Sequence, residues 1–245
     1  MRYKEELLRL IGEVIFPENI YCVGCGEPIK KNEIYSLCEK CREMLIYSRP
    51  ETCVRCGRFV KKRETVFCEH CGARPPKYDR GAAAVVYNDA ARKMIYDLKY
   101  GGKGYVAKNA AGIMQRCVEN LGGHDIIIPV PVHKNKIKAR GFCQTTLISE
   151  SLSKLTGIPV LKGNLVRTKD TLPMSGLEPE ERRNNIRDAF DVTDASCILG
   201  KKVLLIDDLL TTGSTAEECA RVLKGSGAAE VSLAVFASPY SKNKN

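Results

Sequence analysis

Apolar residues along the chain fall into short unbroken runs that alternate with stripes at helical spacing. Val203, Leu204, Leu205 and Ile206 form one run, rich in branched residues, too short for a helix and followed at once by charge. It predicts a buried parallel strand. Ile126, Ile127 and Ile128 predict a second strand, and Ala82 to Tyr87 a third. Helical stripes lie between and after them. One runs from about Ala90 to Leu98, with Met94, Ile95 and Leu98 on one side, and one passes through Gln115 to Glu119. Arg140 to Gln144 opens a third, which continues through Leu155, and Ala220, Val222 and Leu223 mark a fourth from Ala216. Strands alternating with helices predict an α/β fold with a mostly parallel sheet and helices on both faces. Near the start, Leu7, Leu10, Ile11, Val14 and Ile15 make a further stripe, read as a short packing helix stopped by Pro17. No run reaches the ~18 apolar residues of a membrane span, so no membrane insertion is expected. The opening MRYKEELLRLIGEVIF mixes acids and bases through its apolar positions, which argues against a secretory signal and for a cytoplasmic protein.

Cysteine spacing sets the first 76 residues apart. Eight of the 12 cysteines form four CxxC pairs: Cys22/Cys25, Cys38/Cys41, Cys53/Cys56 and Cys68/Cys71. Twelve residues separate the first two pairs and eleven the last two. Pairs so spaced suit tetrahedral zinc, each knuckle presenting two thiolates from one tight turn. Disulfides are the competing reading, and a cytosolic-looking chain argues against them. Eight ligands make two structural Zn²⁺ sites, either sequential or interleaved, and the near-repeat of CVGCG as CVRCG favours a duplicated unit. Arg74-Pro75-Pro76-Lys77 reads as the linker, dividing the chain into a helix plus double ribbon over 1–76 and an α/β domain over 77–245. His70, between two ligands, reads as a solvent-side residue. Cys117 and Cys219 fall in helical patterns and read as small core residues.

The net charge of +10 invites a nucleic-acid partner, but its distribution matters. Residues 1–80 hold 16 basic and 12 acidic side chains, and two zinc ions on eight thiolates bring that part to about zero. Residues 81–245 hold 23 and 17. Two local clusters remain: Arg58, Lys61, Lys62 and Arg63, read as a solvated face or a binding patch, and Lys134, Lys136, Lys138 and Arg140.

The candidate chemistry lies beyond Ile206. Asp207 and Asp208 sit where the strand reaches the carboxyl edge of its sheet, the edge at which open α/β sheets bind ligands. Thr211-Thr212-Gly213-Ser214-Thr215 follows, small and hydroxyl-rich, and then a helix start whose N–H groups and dipole favour a phosphate. Two adjacent carboxylates are costly unless they share something positive, and a Mg²⁺-bound diol such as a ribose is one solution. The plain alternative is an ordinary strand, turn and helix with two surface aspartates. The second strand ends in a stiff loop, Pro129-Val130-Pro131-Val132-His133, beside cations, an arrangement suited to pyrophosphate. His133 reads as a neutral loop residue.

The run VLLIDDLLTTGST closely resembles the phosphoribosyl pyrophosphate (PRPP) motif of type I phosphoribosyltransferases. With the CxxC pairs, YDRGAAAVVYND, LKYGGK, IPVPVH, RGFCQ and LVRTKDTLPMSGLEPEERRNNIRDAF in matching order, the chain resembles the ComF family. Those competence-associated proteins join a double zinc ribbon to a phosphoribosyltransferase-like domain. The resemblance implies displacement of pyrophosphate from Mg²⁺-PRPP by a nucleophile. Asp207 and Asp208 would position the ribose, directly or through Mg²⁺. Thr211, Thr212, Gly213, Ser214 and Thr215 would grip the 5′-phosphate, with Val130, Lys99 and Arg140 around the pyrophosphate. Arg167 to Asn185 would form a hood over the site. It also implies a role in DNA uptake, with single-stranded DNA and uptake proteins as partners. The competing class is a non-catalytic nucleic-acid-binding or partner-docking module using the ribbons and the basic loop. Three positions depart from expectation. Cys143 stands where the family has asparagine and Met174 where it commonly has glutamine, which bears on substrate identity. Thr211 stands where the purine-salvage enzymes that share the motif carry an aspartate.

Overall fold

The computed structural model describes residues 20–30, 33–45, 51–61, 66–171 and 176–241. The N-terminal stripe, Lys62, Arg63 and Met174 lie outside them. In chain order the elements are α1 (Glu39–Met44), α2 (Glu69–Ala73), β1 (Arg80–Val86), α3 (Asp89–Lys99), α4 (Val106–Leu121), β2 (Ile126–Pro129), α5 (Lys134–Arg140) and α6 (Gln144–Thr156). Then follow β3 (Leu165–Arg167), α7 (Pro179–Ile186), β4 (Phe190–Val192), β5 (Lys202–Leu209), α8 (Ser214–Gly225) and β6 (Glu230–Ser238).

The main sheet is wholly parallel in the order β1-β6-β5-β2, and β3 and β4 form a separate antiparallel pair. The apolar runs are unbroken because both sheet faces are covered. Leu204 and Ile206 of β5 pack with Met94, Leu98, Met114 and Ile148 of α3, α4 and α6. Val203 and Leu205 pack on the opposite face with Cys219, Ala220 and Leu223 of α8.

Four features differ from the sequence expectation. β5 continues through Asp207 and Asp208 to Leu209, with Asp207 opposite Val235 of β6, so the acidic pair belongs to the ladder itself. β6 has no counterpart among the expected strands. Lys134 to Arg140 is a short helix; His133 Nδ1 accepts from Asn135 N at its start, and Gly141, with a left-handed φ of 84°, ends it. Arg140 therefore closes α5, and Gln144 begins the next helix. The hood stretch carries α7 between β3 and β4, with its start held by a reciprocal Glu178–Glu181 capping box.

Each ribbon covers one face of the sheet domain. In the first, Leu37 and Leu45 join the cluster of α3 and α4. Tyr35 lies so close to Gly112 of α4 that a Cβ there would meet its ring at 2.7 Å. In the second, Phe59 and Val60 join the cluster on the α8 face. Gly26 and Gly57 hold equivalent places after Cys25 and Cys56, both with positive φ, but their surroundings differ. A Cβ at Gly57 would lie 2.3 Å from the Ala82 Cα of β1, whereas at Gly26 the nearest atom is Lys93 Cε at 4.0 Å. Gly26→Ala should therefore cost only the left-handed penalty, about 1–2 kcal/mol. Gly57→Ala adds a backbone clash of about 1–3 kcal/mol more. Thermal melts of the zinc-loaded variants check this, and equal shifts would contradict the close ribbon–strand contact.

Candidate functional site

β5 and β2 are neighbours whose chains leave in opposite directions. Residues 159–161 run beside β2 on its outer side, while β5 leads to β6 on the other. The crevice at the carboxyl ends of such a pair is the ligand position of open α/β sheets. Asp207 and Asp208 stand there. Asp208 is 3% exposed and its carboxylate pairs with Lys99, the last residue of α3. A charge buried this far requires such a partner, and the plain reading of two surface aspartates fails. Burial alone would depress the Lys99 ammonium, but Asp208, with Asp207 behind it, outweighs that and holds it above the ordinary lysine value. Burial, then the adjacent Asp208 charge, pushes Asp207 up to about 8. The strand end thus holds, beside the Lys99-paired Asp208, a carboxyl at Asp207 poised to ionise when a cation arrives.

Beyond the pair, Leu210 N donates to Ala237 O at 3.0 Å and holds the loop on β6. Gly213 adopts a φ of 87°, the turn that brings Ser214 to the start of α8. Thr212 and Ser214 hydroxyls lie 3.0 Å apart. A small cavity at this turn is lined by Asp207, Thr211 to Thr215 and, from α7, Arg182. Arg182 Nε is anchored on Leu177 O at 2.7 Å.

Cations gather on the other side. Arg140 stacks over Tyr100, its Cζ 5.0 Å from the ring centre, and donates to Gln144 Oε1 at 3.0 Å. Tyr100 follows Lys99, so these two predicted residues are brought together. Lys136, from the basic cluster beside the β2 loop, and Arg167, the first residue of the hood stretch, join them. Burial first, then repulsion from Arg167 and Arg140, lowers Lys136 below the ordinary lysine value. Arg167 of β3 sits over Phe190, donates to Thr171 Oγ1, and feels the charges of Asp170 and Asp207. Val130 is buried, its N–H bound to Ile206 O at 2.9 Å and its carbonyl to Thr145 Oγ1 at 2.7 Å, so it fixes the loop and offers no free donor. His133 is buried too, with Nδ1 3.3 Å from Asp170 Oδ1.

The eight paired cysteines form two separate clusters. Cys22, Cys25, Cys38 and Cys41 make one, and Cys53, Cys56, Cys68 and Cys71 the other, every Sγ within 4.8 Å of its partners. The pairing is sequential. Four thiolates at 2.3 Å from one zinc lie ~3.8 Å apart; Cys25–Cys38 is 3.8 Å and Cys56–Cys68 is 3.6 Å. The donor set also calls for a cation. Burial pushes the Cys41 thiol up, and neighbouring Cys53 does the same to Cys56 and Cys71, so the groups cannot all ionise alone. These are two Cys₄ sites for structural zinc. Among the described residues no helix is long and apolar enough to cross a membrane.

The second ribbon also reaches the Thr211–Thr215 loop. Arg58, grouped by sequence with a charged cluster, donates from Nη2 to Thr211 O. His70 lies 3.6 Å from Glu217 Oε1 in the first turn of α8, so it faces that helix and not open solvent. Cys117 and Cys219 are buried in the core.

Residues 11–76 match the double zinc ribbon domain and residues 138–245 the phosphoribosyl transferase domain. Competence protein F of Haemophilus influenzae is 27% identical over 227 residues, covering 88% of this chain and 95% of its own. DNA utilization protein YhgH of Salmonella typhi is 27% identical over 217 residues (80% and 94%), and competence protein ComFC of Bacillus subtilis 24% over 201 (79% and 80%). The chain thus joins a double zinc ribbon to a phosphoribosyl transferase domain and is similar over most of its length to competence proteins F and ComFC. The stretch 77–137 lies between the two matched domains, and it supplies β1, β2, Lys99 and Val130 to the same sheet and crevice.

Proposed function

We propose that this chain is a ComF-type protein that binds PRPP with Mg²⁺ in the crevice between β5 and β2, and serves DNA uptake in the cytoplasm. The single observation that carries the reading is the placement of Asp207 and the Lys99-paired Asp208 between a small-residue turn and a cluster of cations. Thr211 to Thr215, with Arg182, suits a 5′-phosphate, and Lys99, Lys136, Arg140 and Arg167 suit a pyrophosphate. Asp207 and Asp208 would hold the ribose hydroxyls, with Mg²⁺ supplying the charge that two carboxylates share. Residues 1–76 act as the ribbon unit and 77–245 as the ligand-binding unit. The DNA role rests on the names of the relatives, which speak of competence and of DNA utilization.

If turnover occurs, a nucleophile attacks the ribose C1 and pyrophosphate leaves with the bonding pair. A purine acceptor must lose or share a proton as it attacks, and a general base is typically worth ~10²–10⁴ in rate. Thr211 provides no such base. Pyrophosphate release with adenine, guanine or hypoxanthine should therefore be negligible even where calorimetry detects Mg²⁺-PRPP binding. Rapid turnover of any of them would refute this reading of Thr211, and absence of PRPP binding would refute the proposal. Single-stranded DNA binding belongs in the same assay. Phosphate contacts by Lys134, Lys136, Lys138 and Arg140 should make its affinity fall steeply with salt.

A further inference from the structure

The second zinc ribbon and the loop Thr211 to Thr215, here called the anion loop, meet at one side chain. Arg58 stands two residues after Cys56, and its backbone carbonyl accepts from Cys53 N at 2.8 Å. Metal ligation of Cys53 and Cys56 thus sets the turn that carries Arg58. The turn is pressed on β1, with no space for even a Cβ at Gly57. From there the guanidinium donates to the Thr211 carbonyl, 153 residues away in sequence. Its Nε is buried and has no partner among the described residues. In a trans peptide the C=O and the following N–H point in opposite directions. Holding the Thr211 carbonyl toward Arg58 therefore turns the Thr212 N–H away from the ribbon. Thr212 lines the cavity. A second bridge, His70 to Glu217, ties the same knuckle pair to the first turn of α8.

We propose that Arg58 is a positioning residue for the anion loop, turning the Thr212 N–H into the cradle and coupling the loop's phosphate affinity to the metal held by Cys53, Cys56, Cys68 and Cys71. The inference rests on the reading of Thr211 to Thr215 as the 5′-phosphate site. A zinc ribbon on this account is a mechanical support for the binding loop of another domain. Because coupling is reciprocal, ligand in the loop also retards loss of that metal.

The test compares zinc-loaded wild type, Arg58→Ala, Arg58→Lys and Arg55→Ala. Arg55 is a control on the same ribbon, its Cζ 4.8 Å over the Phe67 ring. Arg58→Ala should keep two zinc ions per chain, speed amide exchange at Thr212 to Ser214, and weaken Mg²⁺-PRPP binding by about tenfold to a hundredfold, the range of one charged hydrogen bond. Arg58→Lys keeps the charge and a donor, and should restore affinity to within about threefold. Arg55→Ala should match wild type. Mg²⁺-PRPP should slow zinc transfer to a chelating dye in wild type but not in Arg58→Ala. Wild-type exchange and affinity in Arg58→Ala would overturn the positioning role, and zinc transfer indifferent to ligand would overturn the coupling. If wild type binds no PRPP, the phosphate reading falls. The exchange contrast between Arg58→Ala and Arg55→Ala still decides whether Arg58 orders the loop.

Discussion

Replacing Asp207 and Asp208 together by asparagine should abolish measurable Mg²⁺-PRPP binding while zinc stays at two ions per chain. The single variants should separate two roles. With its carboxyl pushed up to about 8, Asp207 is largely neutral at pH 7 in the free protein, so Asp207→Asn is nearly isosteric and isoelectric there. Its fold should survive intact while ligand affinity falls, because the amide cannot ionise to meet Mg²⁺. Asp208→Asn removes the partner of Lys99 and leaves a largely buried ammonium uncompensated, a loss of about 3–5 kcal/mol for a broken buried pair. The sign of the pH dependence follows from the raised Asp207 value. Ligand that requires the carboxylate should bind up to about tenfold more tightly per pH unit between 6 and 8, level off above, and release close to one proton at pH 7. Folding runs the opposite way. The unfolded carboxyl ionises near ~3.9, so the native state loses stability from there up to about 8, and Asp207→Asn should not. Calorimetry in two buffers of different ionisation enthalpy reads the proton. Equal affinities in wild type and the double variant would make the acidic pair a bystander.

How much of this was legible in the sequence depends on how locally each feature is determined. The runs at Ile126 and Val203 announced β2 and β5, because branched residues buried on both faces leave no polar alternation. β6 was passed over: Ser232, Ala234, Ala237 and Ser238 are wholly buried, and these small residues dilute the apolar signal. α5 has Ile137 as its one large apolar residue, so no stripe marks it; His133 and Gly141 define it from its ends. The zinc ligands were legible because knuckle spacing is a short-range constraint, but sequential pairing needed coordinates. Asp207, Asp208 and the Thr211–Thr215 turn are contiguous and could be read directly. Lys136 was visible as one of a basic cluster and Arg167 as the start of the hood, but they come from separate elements, and only the fold brings these two side chains together. Arg58 sat in a charged cluster whose composition fits solvent equally well, and only the fold places Thr211 beside it.

The two ribbons should respond unequally to loss of a ligand. Sequence alone separates the ribbons from the α/β domain at the prolines of the linker. In the structure Phe59 and Val60 of the second ribbon share a buried cluster with Tyr78, Ala83, Val86, Leu233 and Ala220 on the α8 face of the sheet. Structural zinc contributes ~10–16 kcal/mol of binding free energy that is also folding energy. Cys53→Ser should therefore lower zinc from two ions to one, release Arg58 from Thr211, uncover that sheet face and depress Mg²⁺-PRPP affinity. Cys22→Ser should also cost one zinc. It uncovers Leu37 and Leu45 on the α3 and α4 face, away from the anion loop, and any folded protein should keep its PRPP affinity. Elemental analysis, a thermal melt and a PRPP titration on both variants make the comparison. Equal PRPP affinity in Cys53→Ser and wild type, with one zinc lost from each Cys53→Ser chain, would show that the second ribbon merely sits on the sheet domain and lends the site no support.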